Sequence, residues 1–114
     1  MKTKVEKHGD IAVVSPKGSL VGGDETVDLQ NTIREQIDAG NLKLVVDLGK
    51  VDFLTSRPIG VLTEVHVNYK KRGGRLMLCN VDKRLTVVLV ITQLVKVFEI
   101  AENLEGALQK LEAS

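Results

Sequence analysis

Ser56, His66 and Asp47 are the residue types of a nucleophilic triad, in which a hydroxyl attacks, an imidazole takes its proton and a carboxylate orients the ring. Those three groups must meet within hydrogen-bond reach. The spacing forbids it: with Ser56 at the start of a helix, His66 lies ten residues along the same rod, roughly 15 Å away at 1.5 Å per residue. His66 is therefore read as a helix-face residue and His8 as a solvated turn residue. Lys70, Lys71, Arg72 and Arg75 form the one basic cluster. The first three fall in the last turn of a helix, where cations complement the exposed carbonyls. The single cysteine, Cys79, supports neither an internal disulfide nor a Cys-x-x-Cys site, and reads as a small buried hydrophobe. No phosphate-cradling Gly-x-x-x-x-Gly-Lys loop and no cluster of metal ligands appears. The expectation is no catalytic residue, no metal and no cofactor.

Gly22-Gly23-Asp24-Glu25 spells the opening of a motif associated with cyclic-dinucleotide synthesis. That chemistry needs a much larger domain with the motif on a hairpin. Here two turn glycines followed by a helix cap explain the letters.

The elements that would position these residues are marked by period and punctuation. Lys2 to Val5 and Ile11 to Ser15 read as strands around a His8-Gly9-Asp10 turn. Asp24 is placed to cap a helix running to about Ala39, with Leu29, Ile33 and Ile37 on one stripe and Gly40 at its end. Leu42 to Leu48 reads as a central strand covered on both faces. A second helix is expected from about Arg57 to Arg72, then a strand from Arg75 to Cys79, a strand from Val97 to Ile100, and a helix from Glu102 to Leu111. Arg84 to Leu94 is ambiguous, since its β-branched residues favour a strand. Asp82 as a cap and the spacing of Leu85 and Leu89 favour a helix. Such alternation builds parallel βαβ units, so the fold class expected is α/β with an antiparallel first strand.

Composition narrows the function classes. The 114 residues carry 16 Lys and Arg against 15 Asp and Glu, a formal net charge of +1, which argues against a general nucleic-acid binder. Only Phe53, Tyr69 and Phe98 are aromatic, leaving little for base stacking. The length suits a single domain spanning residues 1–114. The start MKTKVEKHGD lacks the apolar core of a signal peptide. The longest apolar run, Val87 to Ile91, has five residues, far below the ~20 of a membrane span. A cytoplasmic domain with no direct membrane insertion is expected. That same run is apolar nearly all round a helix, so a partner contact or a homodimer contact is expected there.

The stretch from Val46 to Leu62, VDLGKVDFLTSRPIGVL, is the most specific feature. It resembles the signature of the STAS domain, the sulfate-transporter and anti-sigma factor antagonist family, which typically reads Asp-Leu-Ser-x-Val-x-Phe-Ile-Asp-Ser-Ser-Gly-Ile-Gly-Val-Leu. Asp47, Leu48, Val51, Phe53, Ser56, Ile59, Gly60, Val61 and Leu62 match. Gly18-Ser19-Leu20, the segment from Gly73 to Asn80 and the Val97-Phe98-Glu99-Ile100 ending resemble the family in order and spacing. The resemblance implies a mixed β-sheet of four to five strands with an antiparallel first strand, flanked by about four α-helices, and it supports the helix at Arg84 to Leu94.

In anti-sigma factor antagonists the second serine of Asp-Ser-Ser-Gly, at the start of a helix, is phosphorylated by a partner kinase. The unphosphorylated form binds the anti-sigma factor. A phosphate adds about −1.5 to −2 charges, enough to disrupt a docked interface. In this chain the family's Asp is Thr55, its phosphorylated Ser is Arg57 and its Gly is Pro58. An early acidic position is Val21. Arg57 cannot accept a phosphate ester, while Pro58 suits a first helical turn. Ser56, matching the first serine, reads as an N-cap, with a phosphorylation role as the alternative. The resemblance thus implies a bacterial, non-enzymatic regulator that docks an anti-sigma factor, a serine kinase or a related signalling protein through Thr55, Ser56, Arg57 and Pro58. An accessory STAS subunit of an ABC or anion transporter assembly is the alternative.

Overall fold

A computed structural model describes residues 3–20, 24–54, 56–91, 93 and 98–112, with the backbone alone at 20, 25, 53, 54, 56–58 and 88. In chain order the elements are β1 (Lys4–His8), β2 (Ile11–Ser15), β3 (Gly18–Leu20), α1 (Asp24–Asp38), β4 (Lys43–Asp47) and β5 (Val51–Leu54). They continue with α2 (Ser56–Lys71), β6 (Arg75–Cys79), α3 (Lys83–Ile91), β7 (Glu99–Ala101) and α4 (Leu104–Glu112). The main sheet has five strands in the order β1-β2-β4-β6-β7. β1 runs antiparallel to β2, and the other pairings are parallel. This is the mixed, helix-flanked sheet that the alternation of patterns predicts.

Side-chain alternation divides the core into two layers. Ala12, Val14, Leu44, Val46, Leu76 and Leu78 point to the face covered by α1, α2 and α3, where they meet Leu29, Ile33, Leu62, Tyr69, Leu85 and Leu89. Ile11, Val13, Val45, Met77 and Cys79 point to the opposite face and pack on Ala107 and Leu111 of α4. The stripe of Leu29, Ile33 and Ile37 is buried as its spacing predicts.

Several boundaries differ from expectation. β1 extends to His8, which pairs with Ile11, so the turn is only Gly9-Asp10. All five β1 residues are exposed, so no apolar alternation marks the strand. The last strand begins at Glu99, and Val97 lies outside the described residues. α4 starts at Leu104, two residues late, because Asn103 Oδ1 accepts from Gly106 N at 2.8 Å and caps it. Two strands were not expected at all: β3 and β5 pair in parallel as a separate two-stranded sheet. β3 has three residues, too few to show a period.

The segment from Lys83 to Ile91 is helical, resolving the ambiguity in favour of its cap. Asp82 Oδ1 accepts from Leu85 N at 2.9 Å. That hydrogen bond, with the Arg84 guanidinium beside it, holds the Asp82 carboxyl below its usual range against a small opposing effect of burial. Leu85 and Leu89 are buried, while Val87, Val90 and Ile91 are 55%, 55% and 75% exposed. No helix among the described residues is long and apolar enough to cross a membrane.

Candidate functional site

β5 ends at Leu54 and α2 begins at Ser56, so Ser56, Arg57 and Pro58 form the first turn of α2 at the C-terminal edge of the parallel strands. Thr55, between them, lies outside the described residues, as does Val21. Loops at this edge of an open α/β sheet are where such folds place their sites. Pro58 fits because a first-turn N–H has no helical acceptor to lose. α2 carries no acidic side chain in its first turn, so the partial positive charge of its N-terminus is not offset there by a carboxylate of its own.

The helix is held firmly behind that turn. Ile59, Leu62, Val65, His66 and Tyr69 are buried on its inward face. Its other end closes with Gly73 in the left-handed region at φ 77 and Gly74 N donating to Tyr69 O at 2.7 Å. A Cβ on Gly74 would lie 2.5 Å from the Leu42 carbonyl oxygen, so only glycine fits.

The triad types do not converge. Ser56 and His66 sit ten positions apart on the one helix α2. His66 faces inward, 3% exposed, with its ring edge-to-face on Phe98 at 5.4 Å. Its Nδ1 is buried without a hydrogen-bond partner among the described residues. Burial first, then the Lys70 ammonium, push the imidazole below its ordinary value, while Glu99 opposes them. The period placed His66 on a helix; its burial against Phe98 had no local signal. Burial and, secondarily, the Asp47 carboxylate push the Cys79 thiol up to about 12, so it is the inert buried hydrophobe expected.

Asp47 has a different task. Its Oδ1 accepts from Gly49 N at 2.9 Å and from Asn80 Nδ2 at 3.0 Å. Of the basic cluster, Lys70 and Lys71 occupy the last turn of α2. Arg75 instead lies on β6 and forms a two-pronged ion pair with Glu99, at 2.7 and 3.1 Å. That pair holds the Glu99 carboxyl below its ordinary range.

Comparison with known proteins agrees with this arrangement. The STAS domain family model matches residues 2–107. The chain is 25% identical over 107 residues to BtrV of Bordetella bronchiseptica, a candidate anti-sigma factor antagonist, covering 94% of this chain and 91% of that protein. An anti-sigma factor antagonist from Mycobacterium paratuberculosis superposes with a TM-score of 0.84 at 25% identity, over 97% of this chain and 93% of the other. The anti-sigma factor antagonist SpoIIAA in its unphosphorylated form shares the fold, with a TM-score of 0.78 at 15% identity over 98% and 99% of the two chains. With nearly the whole chain matched, this protein belongs to the STAS domain family.

Proposed function

We propose that this chain is a non-enzymatic regulator of the anti-sigma factor antagonist type, docking an anti-sigma factor or related serine kinase through Thr55, Ser56, Arg57 and Pro58. The observation that carries this reading is the placement of Arg57 in the first turn of α2, at the position that matches the phosphorylated serine of the family's motif. Similarity to anti-sigma factor antagonists across nearly the full length supports it. A fixed guanidinium gives that position a charge opposite to that of phosphoserine, so the phosphate switch is absent and docking is constitutive. An acidic partner surface suits it.

Incubation with the cognate anti-sigma kinase and ATP, followed by mass spectrometry, tests both halves. Expected are a stable complex, no phosphate on residues 55–58, and phosphate at position 57 in Arg57→Ser. Phosphate on Ser56 or Thr55 of the wild type overturns the lost switch. No complex with or without Arg57→Ser overturns the docking. Co-purification with a transporter ATPase instead would support the accessory-subunit alternative. Self-association is a second proposal, favoured by the exposure of Val87, Val90 and Ile91 on α3. An elution profile unchanged by Val87→Glu and Val90→Glu counts against it.

A further inference from the structure

The last registered pair between β4 and β6 is Asp47 with Cys79. Beyond it the two chains part. One runs through Gly49 into β5 and the start of α2; the other leaves through Asn80 toward the Asp82 cap of α3. Across this fork Leu48 N donates to Cys79 O at 3.0 Å, and the single oxygen Asp47 Oδ1 accepts from both branches, Gly49 N and Asn80 Nδ2.

Both donors have unusual backbone demands. Asn80 is left-handed at φ 56, a conformation that asparagine tolerates better than most residues. A Cβ on Gly49 would meet Asp47 Oδ1 at 3.1 Å and Asn80 Cβ at 3.2 Å, so a side chain there would press on both partners of the contact. Lys50 O adds a third strand by accepting from Gly18 N at 2.9 Å. Asp47 and Asn80 are only partly buried. A half-solvated contact of this kind adds little to global stability compared with the core, yet it fixes direction, because one acceptor receives two donors from separate connections.

We propose that Asp47 and Asn80 are positioning residues that lock the approach to α2 onto the approach to α3, so that the two helix starts are presented as one rigid surface. This rests on the docking reading above for its purpose, though not for its geometry. Its distinctive consequence is coupling: residues 33 apart in sequence should loosen together.

Amide hydrogen exchange on the full chain tests the lock without any partner. In Asp47→Ala and in Asn80→Gly, amides of 49–57 and of 80–86 should both exchange about tenfold faster or more. Those of 44–46 and 76–78 in the sheet should stay unchanged. Asp47→Asn, which keeps an oxygen acceptor, should restore most of the protection. Asn80→Gly keeps the left-handed backbone at no steric cost but frees it locally, so its effect on 49–57, across the fork, is what reports the lost amide contact, and it carries the comparison should Asp47→Ala not fold. Segments that respond separately, or not at all, overturn the lock. Titration with the cognate anti-sigma kinase tests its purpose: about tenfold weaker binding in Asp47→Ala and Asn80→Gly, with Asp47→Asn near wild type. Coupled exchange with unchanged affinity overturns the positioning role. A wild type that binds no kinase overturns the docking reading, while the exchange result still decides the lock.

Discussion

His66 and Tyr69 place two polar atoms, Nδ1 and Oη, inside the α2–sheet layer without hydrogen-bond partners among the described residues. Such atoms lose their water and gain nothing in return. Tyr69→Phe should therefore leave stability unchanged or raise it by up to about 1 kcal/mol, measured by urea unfolding. For His66 the sign follows from linkage. Its folded-state value lies below the ordinary 6.5, so the unfolded chain takes up the proton first. The stability contribution is present above pH 6.5 and is lost as pH falls below it. The charged groups that act on the ring are Lys70 on the same helix and Glu99 on β7, the latter held by Arg75 of β6. The urea midpoint should drop between pH 7 and pH 5.5 in the wild type and stay flatter in His66→Leu. Equal slopes would show that His66 does not set this pH dependence. The Glu99 carboxylate, depressed below 4.5, titrates only at lower pH and does not blur that window.

At the scale of elements, caps and close approaches set the boundaries. Asp82→Ala should cost about 1 kcal/mol, because α3 is short and β-branched and its first turn hangs on that carboxylate. Gly74→Ala should cost about 1–3 kcal/mol, since the new methyl would press on the Leu42 carbonyl where Arg75 N already donates at 2.8 Å. Both are read from chemical denaturation midpoints. These elements also mark how far the sequence is legible. α1 was visible because Leu29, Ile33 and Ile37 repeat at a helical period and are all buried. α3 was visible only through its cap, against the β-preference of its residues. β3 and β5 were invisible because Gly18–Leu20 and Val51–Leu54 are short and find each other across more than thirty residues. The same limit hid the Asp47–Asn80 contact and the Phe98 ring on His66, both of which are long-range. The motif implies a helix start next to Ser56, and α2 begins there.

The molecule is built on a five-stranded sheet whose two faces are closed by apolar side chains, and α2 starts just after β5 of the small second sheet. A chain with a net charge of +1 offers no broad field to steer a polyanion. Recognition then depends on local groups, and the docking proposed above assigns the leading part to Arg57 in the first turn of α2. The most direct test is calorimetric titration of the cognate anti-sigma kinase with the wild type and with Arg57→Glu. A saturable complex with the wild type, weakened at least about tenfold by the charge reversal, with no phosphate found on residues 55–58 after ATP, is the predicted result. Equal affinity of the two proteins, or phosphate on Ser56 or Thr55, would contradict it.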